Sequence, residues 1–255
     1  MRYSHVFLTR PRNEARDLAA MLSPLGLEVV IQPAFDFREL DAAAEQPDVL
    51  AHLKDGAGNP LLIFTSPRAV NFGLGQLPEG SIRACRVAAI GPATARALEA
   101  MGVAVNVRPS AGYTSEALLQ TLAEDSSGFI SPGRFALILA APGGRMKLKK
   151  GLSELGWMAQ MLMVYRRENA VLDKQEVDRL KEAAGILSVW TSANAMKSLS
   201  QRLPPATWFR LCQGEWLVIS DRLKRLARAY GPKEIHLSPG PGNSDLFTSI
   251  RGLVL

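Results

Sequence analysis

Four landmarks in the first half of this 255-residue chain return in the second half, in the same order and at nearly the same interval. Thr65-Ser66 returns as Thr191-Ser192, each behind a short apolar run and ahead of an alanine-containing helical stretch. Leu22, Leu25 and Gly26 return as Leu152, Leu155 and Gly156, Ile90 through Gly102 as Ile219 through Gly231, and Ser115-Glu116 as Ser244-Asp245. Strand-turn-helix units look alike in many proteins, but four of them in one order at one interval favour duplication over coincidence. The chain therefore reads as two copies of one α/β unit. Two similar domains create a cleft, and such clefts are where ligands usually bind.

Apolar runs alternate with helical stripes along each copy. Val6 to Thr9 reads as a strand, Leu18, Met21, Leu22 and Leu25 recur at the spacing of a helix packed on a sheet, and Gly26 is placed to end that helix. Leu27 to Ile31 reads as a second strand, followed by a crossing near Pro33 and Asp36 and a helix in the alanine-rich stretch to Glu45. Further strands are expected at Leu61–Phe64, Arg86–Ile90, Val103–Val107 and Phe135–Leu139, with helices from near Arg68, from Ala93 to Met101 and from Ser115. Strands alternating with helices imply parallel sheets covered on both faces. A simple cut separates two tandem domains near Gly133. The spacing does not exclude an exchange in which the first unit of one copy completes the sheet of the other.

Thirty Lys and Arg against 24 Asp and Glu leave a net charge of +6, which points to an anionic partner. Arg222, Lys224, Arg225 and Arg228 form a dense local cluster, either a solvated helix face or part of a binding surface. Nucleic acid is disfavoured, because helix-turn-helix and zinc-finger signatures are absent and aromatics, at 7% of residues, are too few for a base-stacking surface. No run approaches the roughly 20 apolar residues that span a bilayer. The start, Met1 to His5, leads directly into a strand without the pattern of a signal peptide, and Cys85 and Cys212 lack redox or metal-ligand spacing. A cytoplasmic protein with free thiols is the expectation.

The turns at the carboxyl ends of the strands are the places for chemistry, since helix N-termini there offer unpaired N–H groups and partial positive charge. Thr65, Ser66, Thr191 and Ser192 can each cap a helix, contact a ligand, or do both. The usual catalytic motifs are missing. Gly73-Leu74-Gly75 and Gly240-Pro241-Gly242 lack the spacing of a dinucleotide turn, and Trp157 stands where a phosphate loop after Gly151 and Gly156 needs lysine. His5, His52 and His236 are scattered without metal-ligand spacing, and no Gly-x-Ser-x-Gly turn occurs.

Leu8-Thr9-Arg10-Pro11, Ile63 to Val70 (IFTSPRAV), Ala89 to Leu98 (AIGPATARAL), Val164-Tyr165-Arg166-Arg167 and Val189-Trp190-Thr191-Ser192 together resemble the uroporphyrinogen-III synthase family, nearly end to end. The resemblance implies two similar flavodoxin-like parallel-sheet domains with the substrate cleft between them. One would combine residues 1–36 with 168–255, and the other, residues 37–167, would be inserted through a two-stranded linker near Val30–Phe35 and Met163–Arg167. It implies an enzyme of tetrapyrrole (heme) biosynthesis that cyclises hydroxymethylbilane to uroporphyrinogen III with loss of water and inversion of ring D. The mechanism it implies passes through an azafulvene and a spiro intermediate, needs no cofactor or metal, and involves no nucleic acid or membrane. A monomer is expected. Positioning and charge stabilisation, rather than a covalent nucleophile, would then supply catalysis.

By the same resemblance Tyr165 is the candidate general acid for the departing hydroxyl; a phenol, with its ordinary pKa of about 10, is protonated at neutral pH. Thr65, Ser66, Gly91, Pro92, Thr94, Thr191, Ser192 and Ser220 match turns expected to line the cleft, mostly through backbone N–H groups. Arg10, Arg68 and Arg222 are candidate carboxylate partners. The second copy departs from the Gly-Pro-x-Thr-Ala pattern of the first, reading Ile219-Ser220-Asp221-Arg222-Leu223, so the threonine is missing there and Ser220 is only a weak substitute. The rival from another class is a two-domain sensor that closes on an anionic small molecule without chemistry, since fold alone does not prove activity.

Overall fold

The computed structural model of the protein describes residues 2–54, 59–124, 134–144 and 146–254; Gly133 lies outside the described residues. Eleven strands are seen among them: β1 (His5–Leu8), β2 (Glu28–Ile31), β3 (Phe35–Glu39), β4 (Leu61–Phe64), β5 (Arg86–Ala89), β6 (Phe135–Ala140), β7 (Met158–Met163), β8 (Tyr165–Asn169), β9 (Ile186–Trp190), β10 (Glu215–Val218) and β11 (Glu234–Leu237). They divide between two compact units, Met1–Asp36 with Glu168–Leu255 and Phe37–Arg167.

The first unit is a five-stranded parallel sheet in the order β11-β10-β9-β1-β2. The second is a parallel sheet in the order β5-β4-β6-β7, extended at the β5 edge by one bridge between Ala88 and Val107. The two orders are the same doubly wound pattern once the chain exchange is followed. β1 and β2, from the start of the sequence, complete the sheet of the second copy, and β6 and β7 complete the sheet of the first. β1, β4, β9 and β10 are buried along their whole length, as parallel strands covered by helices on both faces must be.

Local chemistry explains the elements. Helix Arg12–Leu22 buries Ala15, Leu18 and Leu22, then tightens into a short turn over Ser23–Leu25 that ends at Gly26 with φ 69°, a left-handed conformation open to glycine without penalty. Met21, expected on the packed stripe, is 37% exposed, because the stripe narrows to the positions facing the sheet. Val103–Val107 forms only the single bridge rather than a strand. Asn106 Oδ1 takes the Val87 N–H at 2.7 Å, and a side chain thus occupies a ladder position that a longer strand would need.

The chain crosses between the units through β3 and β8, which pair as a two-stranded sheet. Glutamines anchor the crossing within each unit. Buried Gln32 donates to the Pro33 and Val171 carbonyls and accepts the Asp173 N–H at 2.7 Å, while Gln46 exchanges two hydrogen bonds with the Met163 backbone.

At the amino ends of β10 and β11 lies a buried charge network. Glu215, 3% exposed, accepts from Arg2 through Oε1, and from the Tyr3 hydroxyl and His236 Nε2 through Oε2. Burial alone raises the Glu215 carboxyl, but the hydrogen bonds from Tyr3, His236 and Arg2 outweigh it and hold the group below its ordinary value. A carboxyl lowered by folding stabilises the native state above its unfolded pKa, about 4.3, and that contribution is lost as pH falls through the folded value. Glu215→Gln is accordingly expected to cost about 2 kcal/mol at pH 7, because an amide meets the donors with its own N–H. Urea unfolding at pH 7 and pH 3.5 checks this: the variant should lose less stability on acidification than the wild type, and equal losses would remove Glu215 from the account.

Candidate active site

In the second unit, β4 ends at Thr65, whose buried hydroxyl donates to the Leu139 carbonyl at 2.8 Å, tying β4 to β6. Its one proton is therefore engaged in the fold. Ser66 follows in extended backbone and caps helix Pro67–Gly73, its Oγ accepting the Ala69 N–H at 3.1 Å, with proline in the first turn where a missing N–H costs nothing. The same Oγ lies 3.3 Å from the Tyr165 hydroxyl.

Tyr165 opens β8, one residue beyond the fully buried Val164. Its ring stacks on Phe72 at 5.5 Å and meets Phe37 edge-on at 6.0 Å, while the Arg68 guanidinium lies 4.0 Å over the other side of this aromatic group, on Phe37. Tyr165 is thus a half-buried phenol with its ring held against two aromatic side chains and its hydroxyl beside a serine. Phe37 and Phe72 were not singled out from the sequence, though Phe72 lies four residues beyond Arg68, one helical turn on.

β5 leads to Gly91, the uncapped N-terminus of helix Pro92–Ala100. Thr94 is buried, and its N–H is directed to the Gly91 carbonyl at 3.1 Å. A Cβ on Gly91 would come within 3.3 Å of the Tyr113 Cβ, a tight approach that identifies Tyr113, exposed and at φ 30°, as an unforeseen neighbour of this turn.

In the first unit, the turns after β9 and β10 meet at a pocket of about 320 Å³ lined by Thr191, Ser192, Asn194, Ser220 and Arg222. Four residues expected in the site are thereby brought together, and Asn194 is added. Ser220 caps helix Asp221–Ala227 by accepting the Leu223 N–H, whereas the Ser192 side chain caps nothing at helix Ala193–Arg202. Arg222 sits in the first turn of its helix, where a cation opposes the dipole; an anion in the pocket would relieve that conflict. Arg10 is differently placed. Its guanidinium binds Asn243 Oδ1 at 2.5 Å and Glu14 at 2.8 Å and is largely buried there, which fits a structural tie between the start and end of the unit.

His236, scattered from other histidines in sequence, is brought by the fold to within 4.8 Å of Glu215 and Glu234. Both Glu215 oxygens already accept from Arg2, Tyr3 and His236, a donor-rich setting suited to a carboxylate and ill suited to a cation. The thiols are half-buried, and burial pushes Cys85 up to about 11, so it is held in its unreactive form.

Ser66→Ala is expected to destabilise the protein by about 1 kcal/mol through loss of the helix cap, and Ser192→Ala, which removes no cap, to stay within about 0.5 kcal/mol of wild type. Chemical denaturation of the two variants checks the contrast, and equal effects would contradict the capping assignment.

The model of the family described as uroporphyrinogen-III synthase HemD matches residues 16–248. The uroporphyrinogen-III synthases of Escherichia coli and of Salmonella typhimurium are each 28% identical to this chain over 253 residues, covering 96% of it and 99% of their own length. Among solved structures, the uroporphyrinogen-III synthetase of Helicobacter pylori matches with a TM-score of 0.60 at 15% identity over 99% of this chain and 100% of its own. A mutant uroporphyrinogen III synthase of Thermus thermophilus matches with a TM-score of 0.56 at 21% identity over 98% of both chains, and both likenesses speak for the fold. With the family model spanning most of the sequence, this chain belongs to the uroporphyrinogen-III synthase family.

Proposed function

We propose that this protein cyclises hydroxymethylbilane to uroporphyrinogen III, with loss of water and inversion of ring D, acting as a monomer in the cytoplasm. The observation that carries the reading is the family match over residues 16–248, and the site chemistry is consistent with it. The substrate bears acetate and propionate groups on every pyrrole, so it needs many anion-binding groups and no single deep pocket. The amides after Thr191 and Ser220 with Arg222, and the open helix start at Gly91 and Pro92, are assigned to those carboxylates. Thr65 and Thr94 support the turns from behind, and Arg10 braces the first unit. Among the described residues no helix is long and apolar enough to cross a membrane.

Tyr165 is assigned the acid role. Proton donation to the terminal hydroxyl lets water leave and generates the azafulvene that ring D attacks. The linear substrate closes unaided without inversion, so the protein's task is to promote ionisation while holding ring D for the other closure.

The direct test supplies hydroxymethylbilane, oxidises the products and separates the I and III isomers by chromatography. Type III formation in proportion to protein is expected; type I alone at the uncatalysed rate would make the chain a binding protein. Tyr165→Phe is expected to lower kcat at least about tenfold, and turnover within about twofold of wild type would reduce Tyr165 to a wall residue.

A further inference from the structure

Resting on the assignment of Tyr165 as the acid, we infer that Ser66 is a positioning residue that orients the tyrosine's proton and supports the tyrosinate left after proton transfer. The argument is an accounting of donors. A serine hydroxyl has one proton and two lone pairs, and a phenol likewise offers one proton. The Ala69 N–H occupies one lone pair of Ser66 Oγ at 3.1 Å, while Tyr165 Oη lies 3.3 Å away. When Tyr165 aims its proton at the departing hydroxyl it cannot also donate to Ser66, so the bond between them must run from Ser66 to Tyr165. The chain is then Ala69 N–H to Ser66 Oγ–H to Tyr165 Oη–H to substrate, each group donating once.

The ring is in no position to choose another partner. Phe72 against one face and Phe37 against its edge restrict rotation, and Arg68 over Phe37 closes the group. The separation of 3.3 Å is long for two hydroxyls, as catalytic hydrogen bonds often are before substrate is bound. In the step itself the Tyr165 proton passes to the leaving hydroxyl oxygen. The C–O bond breaks with its electron pair leaving on water, and the pyrrole nitrogen supplies the pair that forms the exocyclic double bond. Tyr165 becomes a phenolate, which recovers its proton when the closing ring carbon loses one. Ser66 donates to that phenolate when the negative charge is greatest, an interaction stronger in the transition state than before it.

Three substitutions separate this role from capping. Ser66→Ala removes both cap and donor; Ser66→Asp keeps a cap but has no proton to give at neutral pH; Ser66→Thr keeps both. The expected result is kcat about tenfold lower for the alanine and aspartate variants with KM within about twofold, stability restored by aspartate, and kcat restored by threonine. In a Tyr165→Phe background, Ser66→Ala should add no further loss, because there is no phenolate left to support. Penalties that multiply in the double variant would mean that Ser66 meets the substrate directly and would overturn the inference while leaving Tyr165 as the acid. Wild-type kcat in Ser66→Asp would overturn it as well. Wild-type turnover in Tyr165→Phe alone would remove the acid assignment, and this inference with it.

Discussion

Both sheets depend on one kind of joint: β1 lying against β9 in the first unit, and β6 against β4 in the second. Each joins parallel strands that are far apart in sequence, so each must repay a long loop closure before any neighbouring strand can add to it. The joints are pinned the same way. Thr9, just past β1, donates to the Val189 carbonyl at 2.9 Å, and Thr65, just past β4, donates to Leu139 at 2.8 Å. The pin comes from opposite strands of the equivalent joint: from β1 in the first unit, and from β4, the counterpart of β9, in the second. Neither half of the sequence contains a whole sheet, so the chain is not two modules in tandem: one unit is discontinuous and the other is inserted into it.

Strand order reverses at the joint, the kind of place where ligands usually bind in open parallel sheets; in the first unit the pocket lies beside it, between the turns after β9 and β10. Thr65-Ser66 and Thr191-Ser192 stand at that position in their own units. At the opposite ends of the strands, Glu215 gathers Arg2, Tyr3 and His236 into a saturated network. Charge is thus neutralised internally at one end of the first unit's sheet, whereas at the other Arg222 is set against its helix dipole beside the pocket.

Much of this was legible in the residues. Apolar runs located β4, β5 and β6, and the Ser66 cap followed from a hydroxyl ahead of a helical stripe. The repeat announced two units, but interval alone left the exchange open, since spacing is blind to which strands pair; only the family resemblance led to the expectation of one. Val103–Val107 read as a strand because alternation is a local signal, while the competing acceptor was the side chain of Asn106. The site was read as a set of turns, and Arg222 and Ser220 were brought together as their positions suggested. Phe37, Phe72, Asn194 and Tyr113 escaped notice because nothing in sequence marks a residue as the neighbour of a distant tyrosine or glycine.

A site of this kind suits a reaction whose difficulty lies in choice. The bilane can close on either of two carbons of ring D, and a hundredfold preference between two routes requires a barrier difference of only about 2.7 kcal/mol. Two or three backbone hydrogen bonds to carboxylates that fit one folding of the chain and not the other can provide it. Ionisation of the hydroxymethyl group is a separate demand, and the proposed assignment gives it to a proton donor held still, Tyr165. Tyr165 is held by rings rather than by a buried ion pair, and it opens the strand that follows the buried Val164, so packing of the second unit's core fixes where its hydroxyl stands. Under the proposed assignment, selection is distributed over many weak contacts, while acid chemistry rests on one rigid point.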